Sequence, residues 1–416
     1  MQTALADFIR NTPEGQEADA ILRSCVHCGF CLSSCPTYRL LGDELDSPRG
    51  RIYLMKQLLE GAEVTASTQL HLDRCLTCRA CESACPSGVR YGRLLDISRT
   101  VLEERVPRAA VPALKRRLLR TVLPHAHRLR GLLAVARALH PVLPQALRAY
   151  LQPSAKPASL EPRRWPAVRH ARRVVLLDGC VQAALEPGIN ASAAHLLDRI
   201  GISALRVPGA GCCGAVSHHL AARAQTLSQL RRNVDALWPL VESGVEAIGV
   251  TASACASMVS EYGRLLRDDP QYAARAARVS CLARDISQIV SAESGTLKQV
   301  LGAVAPAAVT VRVAFHTPCT LQHALKAGGV VEPLLRAAGF VVTAVTDQDQ
   351  CCGSAGTYSI LQGELSQRLL RAKLAALTQG EPQIIATANI GCLAHLRGGA
   401  AVPVRHWVEL LAERLP

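Results

Sequence analysis

Aromatic side chains are scarce in this 416-residue sequence: four Phe, three Trp and seven Tyr, 3% of the chain. So few rings leave no stacking platform for bases, and the formal net charge of +14 does not by itself point to nucleic acid. No uninterrupted apolar run reaches the roughly 20 residues that span a bilayer. The opening stretch, MQTALADFIRNTPEGQEADA, lacks the basic-then-apolar layout of a secretory signal, so a cytoplasmic chain is expected. Also missing are a G-x-G-x-x-G that opens a helix after a strand and a Walker loop, so no organic redox cofactor has a cradle here. With 49% apolar and 19% charged residues, the chain is neither disordered nor a coiled coil. Its length suits two or three domains.

Cysteine is what the chain has in plenty. Seventeen is an odd number, and without a secretory signal reduced thiols point to metal rather than to a disulfide scaffold. Eight lie between Cys25 and Cys85, none between Pro86 and Gly179, and nine from Cys180 to Cys392. The first eight form two copies of one motif, Cys25-x2-Cys28-x2-Cys31-x3-Cys35-Pro36 and Cys75-x2-Cys78-x2-Cys81-x3-Cys85-Pro86. This is the bacterial ferredoxin run that holds [4Fe–4S] cubanes. Three thiolates two residues apart wrap one corner of a cubane, while the fourth points to the other cluster. Cys25, Cys28, Cys31 and Cys85 are expected to hold one cluster, and Cys75, Cys78, Cys81 and Cys35 the other. Structural zinc usually takes two separated pairs instead. Between the motifs, SPRGRIYLMKQLLEG reads as a helix over the clusters. Arg49 and Arg51 are either positive charges beside them or, as expected here, residues of a solvated loop.

From Arg105 to Arg173 there are sixteen Lys or Arg against one acid, Glu161, so the rest of the chain is close to neutral. Prolines break this stretch into short helices and a final extended linker. LKRRLLRTVL mixes leucine and arginine at helical spacing. It reads as a solvated connector or as a basic amphipathic surface for anionic lipid or an acidic partner.

Residues 174–416 repeat. VVLLDGC (174–180) matches VRVAFHTPC (311–319), the region ending in CCG at 214 matches that ending at 353, and VEAIGVTASAC (245–255) matches PQIIATANIGC (382–392). Three strands alternate with helices in each copy, which predicts parallel α/β sheets with cysteines where strands stop. Cys180, Cys212, Cys213 and Cys255 form one four-thiol set, and Cys319, Cys351, Cys352 and Cys392 the other. Gly214 and Gly353 are expected to leave room for a bulky inorganic group. His316, His323, His218 and His219 are candidate lining residues, Met258 reads as core, and Cys281 as an ordinary buried thiol. The expected fold is therefore α+β and α/β multidomain: a helical two-cluster ferredoxin-like domain (1–104), a basic Pro-rich helical linker (105–173), and two α/β lobes with parallel sheets (174–310 and 311–416).

The twin lobes resemble the cysteine-rich CCG domain shared by heterodisulfide reductase subunits and several dehydrogenase iron–sulfur subunits. That family's motif ends Cys-x-x-Cys, whereas here the copies end Cys255-Ala-Ser-Met258 and Cys392-Leu-Ala-His395. His395 is thus a candidate substitute ligand, a proton donor or a helix cap, and further iron–sulfur clusters in the lobes stay open. Over its whole length, including SPRGR (47–51), CCGSAGTYSILQ (351–362) and TANIGCLAHL (387–396), the chain resembles the iron–sulfur subunits of glycolate oxidase (glycolate dehydrogenase). The resemblance implies two [4Fe–4S] clusters, FAD on partner subunits only, oxidation of glycolate to glyoxylate there, and electron flow toward quinone or another respiratory acceptor. It also implies a hetero-oligomer that touches the inner face of the cytoplasmic membrane peripherally, with no nucleic acid. Relatives of anaerobic glycerol-3-phosphate dehydrogenase, of lactate-utilisation proteins and of heterodisulfide reductase share these parts. A non-enzymatic electron carrier or metal scaffold is the alternative of another class.

Overall fold

Short apolar, β-branched runs suit strands covered on both faces, and each repeat builds its sheet from them. The computed structural model describes residues 1–138, 164–302 and 310–416. In the first lobe β1 (Arg173–Leu176), β2 (Ser203–Arg206), β3 (Ala247–Val250) and β4 (Ala283–Asp285) form a parallel sheet of order β2-β1-β3-β4. In the second, β5 (Arg312–His316), β6 (Val341–Thr343), β7 (Ile384–Thr387) and β8 (Val404–His406) repeat it as β6-β5-β7-β8. Chain order reverses between β1 and β3 and between β5 and β7. A crevice therefore opens at their carboxyl ends, where the cysteines lie.

The repeat in sequence aligned only three strands per lobe. The fourth, Ala-Arg-Asp or Val-Arg-His, is too short and too polar to register as a hydrophobic run. Its local signal is the helix cap that follows: Asp285 with Gln288, and His406 with Glu409, form reciprocal capping boxes.

The lobes share one core, in which Val174, Leu176 and Leu197 of the first meet Val313, Phe315 and Trp407 of the second. Helix Gly188–Arg199 packs on helix Trp407–Ala412, and helix Val331–Ala337 on helix Ile286–Ala292. A helix between the first two strands of each lobe thus meets the helix that follows the fourth strand of the other.

The N-terminal region is helical, with Pro13–Ser24, Pro48–Leu59 and Tyr91–Arg105 closing over Leu22, Met55, Leu58, Leu94 and Leu95. Thr12 and Ser47 cap the first two of these by accepting from the amides of Gly15 and Gly50, each with proline at the first helical position. The SPRGR segment is therefore a helix start rather than a solvated loop, and Arg51 on it is 1% exposed. In the basic stretch, helices Ala110–Val122 and Ala126–Ala138 form, and Arg108 and Arg116 bind Asp73 at 2.6 and 2.7 Å. Residues 139–163 of the expected Pro-rich linker lie outside the described residues. Cys281 is exposed, not buried: helix Ala273–Leu282 buries Ala276, Val279 and Leu282, and position 281 falls on the opposite face. No helix among the described residues is long and apolar enough to cross a membrane.

His406 ties the lobes together. Its Nε2–H donates to the Thr251 carbonyl at 2.9 Å, and its Nδ1 accepts from the Val408 amide at 3.3 Å. Burial holds its pKa down at about 4, whereas an unfolded histidine takes its proton near 6.5. As pH falls through that interval the unfolded state binds the proton first, so stability present above pH 6.5 is lost toward pH 4, on the order of 3 kcal/mol for this residue. The His406→Asn variant, which cannot protonate, is expected to show a shallower fall of the unfolding midpoint between pH 7.5 and 5.5. Parallel curves for the two proteins would contradict this.

Candidate metal centres

In both N-terminal motifs the backbone turns left-handed at matching positions. His27 and Thr77 have φ +54°, and Gly29 and Arg79 have φ +85° and +61°. Such conformations are unfavourable for His, Thr and Arg, and they turn amides into a concave nest suited to an anionic group. Two cavities result. One is lined by Cys25, Cys28, Cys31 and Cys85, with Cys81 and Arg49. The other is lined by Cys35, Cys75, Cys78 and Cys81, with Arg51 and Arg79. Pro48 and Tyr91 line both. Cys28 is exposed and flanked by Val26 and Phe30, which are 67% and 66% exposed, so the first cavity opens at the surface.

Burial pushes the thiols up, Cys31 to about 11, and Cys78 and Cys81 well above the ordinary value. Bare thiolates cannot persist there, whereas a cation offsets their charge. Four soft donors around a nest of amides fit an iron–sulfur cluster.

A buried ion network braces the second cavity. Asp46, fully buried, binds Arg51 Nη2 at 3.1 Å and Arg74 Nη1 at 2.8 Å. Arg51 also donates to the His71 carbonyl at 2.7 Å and to Thr37 Oγ1 at 3.0 Å, and its Nη1 lies 3.9 Å from Cys35 Sγ. Tyr91 Oη donates to Cys75 Sγ at 3.6 Å, and Arg99 Nη2 to the Cys75 carbonyl at 3.0 Å. Asp46 and Arg99 carried no signal in the sequence beyond lying near the motifs.

At the strand ends of the first lobe, Cys180 Sγ lies 3.4 Å from Cys212, and Cys213 Sγ lies 3.3 Å from Cys255. The Cys180 thiol donates to Cys212, which pulls Cys212 down and holds Cys180 up. In the second lobe Cys319 and Cys351 are 3.9 Å apart. Cys352, Cys392 and a ring nitrogen of His316 all lie within 4.8 Å of one another.

Gly214 and Gly353 have φ +95° and +90°, and a Cβ on them would meet Leu230 Cδ1 at 2.6 Å and the Ser366 carbonyl at 2.7 Å. The glycines are thus required by the left-handed turn and by a closely packed helix, not by room for an inorganic group. His395 is buried with its Nε2 hydrogen-bonded to Ser366 Oγ at 3.1 Å. Met258 packs in the core beside Leu230 and Tyr262.

His218 pairs with Asp96 at 3.1 Å, and His323 Nδ1 meets Ser83 Oγ at 2.9 Å; both join the N-terminal region to the lobes rather than facing thiols. The second cavity abuts the second lobe. Leu76, Cys351, Tyr358, Leu365 and Leu369 form one core, against which Cys78 and Cys319 pack.

Fold and thiol geometry define a class: an iron–sulfur protein that joins a ferredoxin-type helical domain to twin cysteine-rich α/β lobes. The family model of the 4Fe-4S dicluster domain matches residues 21–89, and that of the cysteine-rich domain matches 174–260 and 313–397. The chain is 49% identical to the glycolate oxidase iron-sulfur subunit of Escherichia coli (strain K12), over 100% of this chain and 99% of that protein. It is 32% identical to the probable glycolate oxidase iron-sulfur subunit of Bacillus subtilis (strain 168), over 98% and 96%. Lactate utilization protein A of Bacillus velezensis is 25% identical over its full length but covers only 58% of this chain. The chain belongs to the family of glycolate oxidase iron–sulfur subunits.

Removing Asp46 leaves Arg51 buried without its carboxylate. The Asp46→Ala variant is therefore expected to lose about 3–5 kcal/mol of unfolding free energy, read by denaturant titration. A change below 1 kcal/mol would show that the network does not brace the fold.

Proposed function

We propose that the chain is the electron-transfer subunit of a flavin-dependent 2-hydroxy-acid (glycolate) dehydrogenase complex. Partner subunits carry FAD and convert glycolate to glyoxylate, and this chain passes the electrons toward quinone or another respiratory acceptor. The observation that carries the reading is that two four-cysteine cavities adjoin at Cys81, Pro48 and Tyr91, and the second adjoins the thiols of the second lobe. The names of the full-length relatives support the glycolate assignment over lactate.

In this reading Cys25, Cys28, Cys31 and Cys85 hold one [4Fe–4S] cluster, and Cys35, Cys75, Cys78 and Cys81 the other. Such clusters, when bound, accept and release one electron at a time. The protein supplies the rest. Arg49, Arg51 and Arg79 line the cavities and favour the added negative charge of reduction. Tyr91, 4% exposed, closes the space between the cavities against water. The exposed Val26, Cys28 and Phe30 form the face at which a partner exchanges electrons. Val111, Leu114 and Leu118, at helical spacing and more than half exposed, stand beside Lys115 and Arg117 and fit peripheral contact with an anionic membrane surface.

Two substitutions in the assembled complex test this. Cys28→Ser is expected to abolish acceptor reduction while substrate still reduces the flavin; full turnover with quinone would contradict the reading. Cys351→Ala is expected to inactivate electron delivery while both cubane signals persist in electron paramagnetic resonance, and unchanged activity would demote the lobes to scaffold.

A further inference from the structure

β5 ends on His316, three residues before Cys319, and the side chain is 2% exposed. Its Nδ1 shares a 3.0 Å hydrogen bond with Thr387 Oγ1 at the end of the neighbouring β7, and its buried Nε2 has no hydrogen-bond partner. An unanswered buried nitrogen loses its hydration without replacement, and folded chains seldom leave one without a reason. The reason lies alongside. Donor atoms of His316, Cys352 and Cys392 are all within 4.8 Å of one another, and all three residues are buried. Donors so spaced can share one ion at bond lengths of about 2.0–2.3 Å. A ligating imidazole typically has its other ring nitrogen held by a hydrogen bond that sets its tautomer, and Thr387, itself fully buried, occupies that place.

The two lobes differ here. Leu177 stands three residues before Cys180, where the second lobe has His316, so the first lobe carries no imidazole at the corresponding strand end. His395, at the position of the family's last thiol, instead engages Ser366 Oγ, which donates to the Gly353 carbonyl at 2.8 Å. The imidazole grouped with the thiols of Cys352 and Cys392 thus stands at a strand end, not on the helix.

We propose that His316, through Nε2, is a ligand of a metal centre in the second lobe together with Cys352 and Cys392, and that the first lobe has no nitrogen ligand of this kind. The proposal rests on the reading that the lobe thiols hold metal, and one set of variants separates the two. The full chain, isolated without oxygen together with its partners, is compared with its Cys352→Ala, His316→Leu, His316→Cys and His395→Leu forms for metal bound per chain. Cubane resonance signals serve as the check on folding. Cys352→Ala is expected to remove the metal of one centre, His316→Leu the same amount, and His316→Cys and His395→Leu none, with the cubane signals intact throughout. If Cys352→Ala removes metal but His316→Leu does not, or if His316→Cys loses as much as His316→Leu, His316 is not a ligand. If His395→Leu removes the metal and His316→Leu does not, the ligand is His395. If Cys352→Ala removes nothing, the second lobe holds no metal, and the reading of its thiols fails along with the proposal.

Discussion

Sulfur in a low-dielectric interior is the constraint to which the other parts of this molecule answer. Fifteen of the seventeen cysteines are buried or half-buried; burial pushes the thiols of Cys31, Cys78 and Cys81 up, so a thiolate there needs compensating positive charge. A single pair would be a local matter. Here five thiols line the first N-terminal cavity and four the second, with Cys81 in both, and close thiol pairs stand at the strand ends of each lobe, so the need for compensation recurs in both parts of the chain. Left-handed loops aim amides inward, and Arg49, Arg51 and Arg79 bring cationic groups to the cavity walls. Arg51 is itself tolerable inside only because Asp46 is buried beside it.

The sites form a line rather than a scatter. The first cavity opens at the surface beside Cys28, the second shares Cys81 and Tyr91 with it, and Cys78 packs where Cys319 and Cys351 meet the helical domain. The first lobe, although built to the same plan, touches the helical domain through polar contacts such as His218 with Asp96 and the Arg79–Glu261 ion pair. Two copies of one fold thus differ in how they meet the helical domain. Another difference is as small as a leucine against a histidine at the end of the first strand.

Motif spacing made the two ferredoxin-type cysteine sets and the paired α/β lobes legible in the sequence, because thiol ligation and parallel strands leave strong local patterns. Where sequence reasoning went astray, the reason was a contact distant in the chain. Arg51 read as solvated because nothing near it in sequence discloses the His71 carbonyl or the Thr37 hydroxyl that accept from it. Cys281 read as buried because thiols usually are, yet its helix turns a different stripe inward. The glycines of the two CCG segments were read as clearance for a cofactor, whereas helices more than ten residues further along the chain press against them.

By itself the sequence determined the inventory: which residues can bind iron and how many strands are apolar enough to be sheltered on both faces. Such properties depend on chemistry within a few residues of chain, so they survive without coordinates. Which histidine confronts the second lobe's thiols was decided only by the tertiary structure. As text His395, at the place of the missing thiol, is the candidate ligand and His316 only a lining residue, but strand register sets His316 beside Cys352 and Cys392 while helix phase carries His395 to Ser366. Side-chain direction at a strand end or on a helix follows from what the element packs against, and that is a property of the assembled fold.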